Sequence, residues 1–140
     1  MYEVTVTKVF AAAHAIRLPD GSHEPLHGHN WQVDVTVTAD DLDEIEVVMD
    51  FHKLEAIVDD LLGWVRNRNL NDLGPFAEGR VNPTAERVAW WVGTRVALKL
   101  PKPVRLRCVT VGEAPGCRAT YRPTGTPSES SGAPGESSKG

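Results

Sequence analysis

The stretch LHGHNWQVDVTV, residues 26–37, alternates apolar and polar side chains from His29 onward. His29, Trp31, Val33, Val35 and Val37 share one face, with Gln32, Asp34 and Thr36 on the other, the period of a half-buried β-strand. Its head carries His27 and His29 with only Gly28 between them. In an extended chain, residues i and i+2 point the same way with Cα atoms roughly 6.6 Å apart. Two imidazoles at that separation bridge to one ion at about 2.0–2.1 Å each. The pair is either an accident of a polar loop or half of a metal site, and the second reading needs a third ligand from elsewhere.

Working outward, YEVTVTKVF (2–10) alternates in the same way, with Tyr2, Val4, Val6 and Phe10 on one face, and FAAA then leads to His14. RLPDGSHEP (17–25) is rich in turn formers and joins the two strands. If they pair, His14 is brought beside HGHNW and becomes the best third ligand. Three imidazoles leave one zinc position open for water or substrate. His52 falls in a helical pattern among charged neighbours and reads as a surface residue; His23 lies in the loop.

From Asp50 the period changes to a helical one. Phe51, Leu54, Ile57, Val58, Leu61, Leu62 and Val65 recur at steps of three and four, with Asp50 as candidate N-cap. NRNLNDLGPFAEGRVN (67–82) is a polar connection. A second helix starts at NPT, with Asn82 as candidate cap and Pro83 at the first helical position; Val88, Trp91, Val92 and Val96 form its apolar face. VRLRCVTVGE (104–113) and CRATYRP (117–123) are strand-like runs joined by APG, a hairpin signal. The order ββααββ predicts an α+β domain with a four-stranded antiparallel sheet and both helices on one face. Such a sheet has open edges, which invites closure by oligomerisation.

The 140 residues suit one domain with a real core, and 41% hydrophobic with 24% charged residues is ordinary for a globular protein. A net charge of −4 gives no reason to expect nucleic acid or an anionic membrane as partner. No apolar run approaches a membrane span, and MYEVTVTKVF lacks the pattern of a signal peptide, so a cytoplasmic location is expected. Cys108 and Cys117 form no CxxC motif and are expected to be small buried side chains. After Arg122 the composition shifts to Pro, Gly and Ser, so the domain is placed at 1–122 and a disordered tail at 123–140.

Six stretches, FAAAHAI, HEPLHGHNW, VVMDFHKLEAIV, LNDLGPF, NPTAERVAWWV and VTVGEAPGCRATY, resemble in order and spacing the 6-pyruvoyl-tetrahydropterin synthase family. That family includes the 6-carboxytetrahydropterin synthases of queuosine biosynthesis. The resemblance implies the T-fold, closed by three subunits into a barrel and by two trimers into a homohexamer with active sites at subunit interfaces. It implies Zn2+ held by His14, His27 and His29, and a pterin ring anchored by Glu113. A carboxylate there can accept two parallel N–H bonds from a 2-amino-4-oxo pterin edge, as it does from Arg. Thr84 in NPTAE and Asp50 in MDF match further signatures that imply substrate binding, and each also reads as helix-start chemistry.

The chain departs from the family where the chemistry is concentrated. The usual cysteine base, four residues before the first histidine of HGH, is His23 here. The usual Asp-His pair is replaced by Arg66 and Asn67, neither a general base at neutral pH. Glu24 in EPLHGH resembles the subgroup in which a glutamate replaces the cysteine and the side chain of dihydroneopterin triphosphate is cleaved to a 6-hydroxymethyl pterin. The expectation is a zinc-dependent lyase acting on 7,8-dihydroneopterin triphosphate or a related pterin, with Glu24 or His23 as base. The alternative is a zinc-containing pterin- or purine-binding homologue without that activity. A cupin-like metalloprotein also uses HxH, but two helical patterns argue against its almost all-β fold.

Overall fold

The computed structural model describes residues 1–124. Within them, β1 (Tyr2–His14) and β2 (His27–Ala39) precede α1 (Phe51–Leu62). The two-residue β3 (Arg68–Asn69) follows, then α2 (Ala85–Ala97), β4 (Arg105–Ala114) and β5 (Cys117–Tyr121). One sheet has the order β3-β1-β2-β4-β5, antiparallel except for β3 against β1. The expected architecture is therefore present with one small strand added. No run of alternation announces β3, because only backbone groups make it: Asn67 N–H donates to Ala11 O at 2.6 Å, and Ala12 and Ala13 pair with Arg68 and Asn69.

Both helices cover one face. Trp31, Val33, Val35 and Val37 of β2, and Val109 and Val111 of β4, are buried against Leu54, Val58 and Leu62 of α1 and Val88, Val92 and Val96 of α2. Gly93 lets α2 approach the sheet closely, since a Cβ there would stand 2.7 Å from the Tyr121 ring. Lys8 is the one charge on the helix-facing side of β1, and it meets Glu55 and Asp59 of α1 at 3.4 and 3.3 Å. The opposite face is mostly polar, with Thr5 bonded to Thr36 and Thr7 to Asp34.

Several local expectations change. Asp50 caps α1 as expected, its carboxylate accepting the His52 N–H at 2.9 Å. Phe51, expected on the buried face, is 54% exposed because the first helical residue precedes the turn that meets the sheet. Thr84, not Asn82, caps α2 by accepting the Arg87 N–H at 3.1 Å. Cys108 is half-buried on the polar face, where strand alternation turns it, and Cys117 is exposed beside the β4–β5 turn, so neither belongs to the core. The proposed tail lies outside the described residues from residue 125 on.

Candidate metal centre

The register of β1 with β2 builds the site. His14 stands directly across from His27, Ala12 from His29 and Phe10 from Trp31. Alternation turns all of them to the helix-facing side, where the five rings form one aromatic column with Ala12 beside them. Trp31, fully buried, stacks on Phe10 with centroids 6.1 Å apart and planes 12° apart, and donates its indole N–H to Ala12 O at 3.1 Å. Its ring meets His14 and His29 edge-on at 4.9 and 5.6 Å. The histidines thus rest on a rigid floor.

His14, His27 and His29 each offer one ring nitrogen, and these lie within 4.8 Å of one another. His14 Nδ1 donates to Pro83 O at 2.7 Å and His27 Nδ1 to Pro25 O at 2.8 Å. Carbonyls only accept, so both rings carry a proton on Nδ1, and in the neutral tautomer the lone pair sits on Nε2. The buried Nε2 atoms of His14 and His29 have no hydrogen-bond partner. Burial pushes the His29 imidazole below the usual histidine value; the Glu113 carboxylate opposes this, and His14 and His27 reinforce it. Neutral imidazoles with converging, unsatisfied lone pairs are what a divalent cation requires. A point within about 2.8 Å of all three nitrogens exists whatever the shape of the triangle, so a small contraction reaches zinc–nitrogen distances.

Two carboxylates flank the cluster. Glu113 Oε1 lies 3.2 Å from His29 Nε2 and 3.8 Å from His14 Nε2. Its aim comes from the backbone: Gly112 pairs with Arg118 and Ala114 with Cys117, leaving Glu113 as the bulged residue. The bulge runs into the Pro115–Gly116 turn, whose Gly116 has φ +88°, a conformation that favours glycine. Glu24 Oε2 lies 3.8 Å from His27 Nε2 and accepts the Ile16 N–H at 3.1 Å.

The structure therefore brings His14, His27, His29, Glu113 and Glu24 together. His23 is exposed, bridged through its backbone to Arg17, and does not belong to the group of converging ring nitrogens. Thr84 adjoins Pro83, the partner of His14, while its own hydroxyl caps α2. Asp50 is elsewhere. Lys8, six residues from His14, already meets the middle of α1, and Asp50 lies beyond it, more than about 20 Å from the cluster by strand and helix rise. An open depression of about 580 Å³ beside His29 is lined by Ala11, Ala13, Gly28, Asn30, Asn67 and Arg68 among others. Asn67 has φ 62°, the left-handed region that asparagine tolerates better than most residues. His52 is 90% exposed, as its sequence context indicates.

Sequence reasoning missed the roles of Asn71 and Asn82, whose side chains hold the chain after His14, and of the Pro83 carbonyl. Their only signal is an Asn beside a turn or helix start, which reads first as a cap.

Comparison with known proteins agrees with this geometry. The sequence model of the 6-pyruvoyl tetrahydropterin synthase family matches residues 3–124. A Pyrococcus furiosus protein described as dihydroneopterin monophosphate aldolase is 36% identical over 106 residues, 74% of this chain and 82% of that protein. A Synechocystis protein described as 6-carboxy-5,6,7,8-tetrahydropterin synthase is 35% identical over 88 residues, 59% of this chain and 65% of that one. Among solved structures, the 6-pyruvoyl tetrahydropterin synthase of Caenorhabditis elegans superposes with a TM-score of 0.71 at 26% identity, covering 89% of this chain and 98% of that one.

Proposed function

This chain belongs to the 6-pyruvoyl tetrahydropterin synthase family, and we propose that it is a zinc-dependent lyase acting on a phosphorylated 7,8-dihydroneopterin, with Glu24 as base. The observation that carries the reading is the convergence of three histidine Nε2 atoms, two of them buried without a partner, between two carboxylates. Zinc bound there would supply Lewis-acid polarisation of the substrate's side-chain hydroxyls. Glu113 accepts the paired N–H groups of the pterin edge and so fixes which side-chain carbon faces the histidines. Glu24, held by the Ile16 N–H, takes a side-chain hydroxyl proton as the adjacent carbon–carbon bond breaks; the hydroxyl-bearing carbon leaves as an aldehyde, and the bonding pair passes into the dihydropterin C=N before the ring-bound carbon is protonated. The name of the Pyrococcus relative, an aldolase acting on dihydroneopterin monophosphate, favours that cleavage over pyruvoyl formation. Replacement of the usual Asp-His pair by Arg66 and Asn67 favours it too.

Assembly enters the same proposal. β3 covers only Ala12 and Ala13 of β1, so among the described residues the outer edge of β1 over residues 2–10 is open, as is the outer edge of β5. Open edges and an uncovered polar face fit closure of copies into trimers and a homohexamer. A substrate contact from Asp50 then has to come from a neighbouring copy.

The test is mass-spectrometric product analysis with dihydroneopterin mono- and triphosphate on zinc-loaded protein, comparing wild type, Glu24→Ala and His23→Ala. Loss of a 6-hydroxymethyl pterin product in Glu24→Ala alone supports the reading; equal turnover in all three removes both residues from the mechanism. The second reading, a binding homologue, rests on the same missing Asp-His pair. Tight pterin binding by the zinc-loaded wild type without product would establish it.

A further inference from the structure

We propose that Asn71 and Asn82 are positioning residues of the metal centre, acting as surrogate strand neighbours that fix the chain immediately after His14. The proposal rests on the metal reading of the cluster. β1 ends at His14, and beside residues 15–17 there is no named strand, only the isolated bridge from Arg17 to His23 on the edge that Ile16 faces. Their backbone groups are nevertheless saturated. Asn71 accepts the Ala15 N–H at 2.8 Å and donates to Ala15 O at 2.9 Å. Asn82 repeats the pattern on Arg17, accepting its N–H at 2.8 Å and donating to its carbonyl at 3.0 Å. Between them Ile16 faces the other edge, donating to Glu24 Oε2 at 3.1 Å and accepting the Glu24 N–H at 3.0 Å.

The period of two along residues 15–17 is that of a strand paired on both edges, with two carboxamides and one glutamate in place of neighbouring chains. A carboxamide carries its donor and acceptor on separate atoms of one short side chain, so asparagine can meet the N–H and the C=O of a single residue at once. Asn71 is itself steadied, its N–H donating to Asn69 Oδ1 at 3.0 Å.

The consequence for the site is direct. Asn82 is followed by Pro83, whose carbonyl accepts the His14 Nδ1–H. One dipeptide therefore both ties down the ribbon after His14 and fixes the tautomer and direction of its ring. Outer partners of this kind tune metal affinity without touching the ion. The same ribbon presents the Ile16 N–H that aims Glu24, so the two asparagines set the spacing between ligand and carboxylate.

The test measures zinc affinity by chelator competition and the visible spectrum of the Co2+ form, on the full chain. Asn82→Asp keeps shape but removes the donor and sets a carboxylate oxygen against Arg17 O. Gly93→Ala, packed under Tyr121 away from the site, serves as a variant destabilised without a change near the metal. The expected result is a loss of zinc affinity of about 10–100-fold and an altered Co2+ spectrum in Asn82→Asp. Gly93→Ala should melt lower yet bind zinc within about twofold of wild type, as expected for a distant, independent site. Wild-type affinity and spectrum in Asn82→Asp, or an equal loss in Gly93→Ala, would overturn the proposal. If Asn82→Asp does not fold, Asn71→Asp takes its place with the same outcomes. Failure of the wild type itself to take up zinc or cobalt would sink the metal reading, and this inference with it.

Discussion

Replacing His29 with leucine should make the metal-free protein more stable, although it removes a residue from the centre of the histidine cluster. His29 Nε2 is buried with no hydrogen-bond partner, and burial holds its ring neutral. An unsatisfied buried polar atom costs about 1–3 kcal/mol, and leucine of similar volume removes that cost while keeping contact with Trp31. The strand position tolerates an apolar residue, since Trp31 and Val33 continue the same face. Glu113 loses a neighbour at 3.2 Å, but its side chain is 27% exposed and regains water. The net expectation is a gain of about 1–3 kcal/mol for the chelator-treated variant over chelator-treated wild type, about 4–12 °C in melting temperature. Zinc reverses the order: at one hundred times its dissociation constant it stabilises wild type by about 2.7 kcal/mol and the variant by far less. The assay is urea denaturation at one fixed protomer concentration, with chelator and with zinc. A metal-free variant less stable than metal-free wild type would refute the reasoning. His29 would then be a satisfied partner of Glu113, and the cluster a buried ion pair and not a cation seat.

Acidification gives a related expectation. With the folded His29 pKa depressed by burial, the unfolded chain binds more protons between that value and the ordinary 6.5. Metal-free stability should be fully present above pH 6.5 and fall below it, as melting curves across pH 5–8 would show. Glu113→Gln should keep zinc within a few-fold but weaken pterin binding by about 10–100-fold, since a charge-assisted pair becomes neutral and loses one acceptor; calorimetric titration with a dihydropterin reads it. Mixing Asp50→Ala and Glu113→Gln chains, unfolded and refolded together and assayed at a substrate level too low for either variant to bind, should restore about one quarter of the sites if neighbouring copies share them. No recovery would place each site within one chain.

Legibility in the sequence followed the reach of each interaction. β1, β2 and both helices bury one face, so their periods of 2 and 3.6 stand in the order of apolar residues. The three histidines could be read because two share a strand and the third ends its neighbour; the register that sets His14 opposite His27 is the same one that pairs Phe10 with Trp31. β3 could not be read, since backbone groups alone make it. The cap of α2 was misplaced for a related reason. Asn82 has the chemistry of a cap, and only tertiary structure shows that its carboxamide serves Arg17 sixty-five positions away, leaving Thr84 to cap the helix. The bulge that aims Glu113 hides behind an ordinary Pro-Gly turn.

The two carboxylates beside the histidines differ in how they are held, and that difference bears on the division of labour between them. Glu24 is clasped at both its N–H and one carboxylate oxygen by Ile16, so its position varies only as the ribbon after His14 varies. Among the described residues Glu113 takes no hydrogen bond from a backbone group; it projects from a bulge next to a tight turn, with the histidine nitrogens as its polar neighbours. A group that must meet a reacting hydroxyl at hydrogen-bond distance gains from the first arrangement, because misplacement by an ångström is costly in rate. A group that must release one ring and accept the next gains from the second, because its carboxylate can leave the imidazoles without breaking secondary structure. Under the proposed function, proton transfer then falls to the clasped carboxylate and ligand capture to the free one, and a drop in turnover alone for one variant and in affinity alone for the other is the pattern that reading requires.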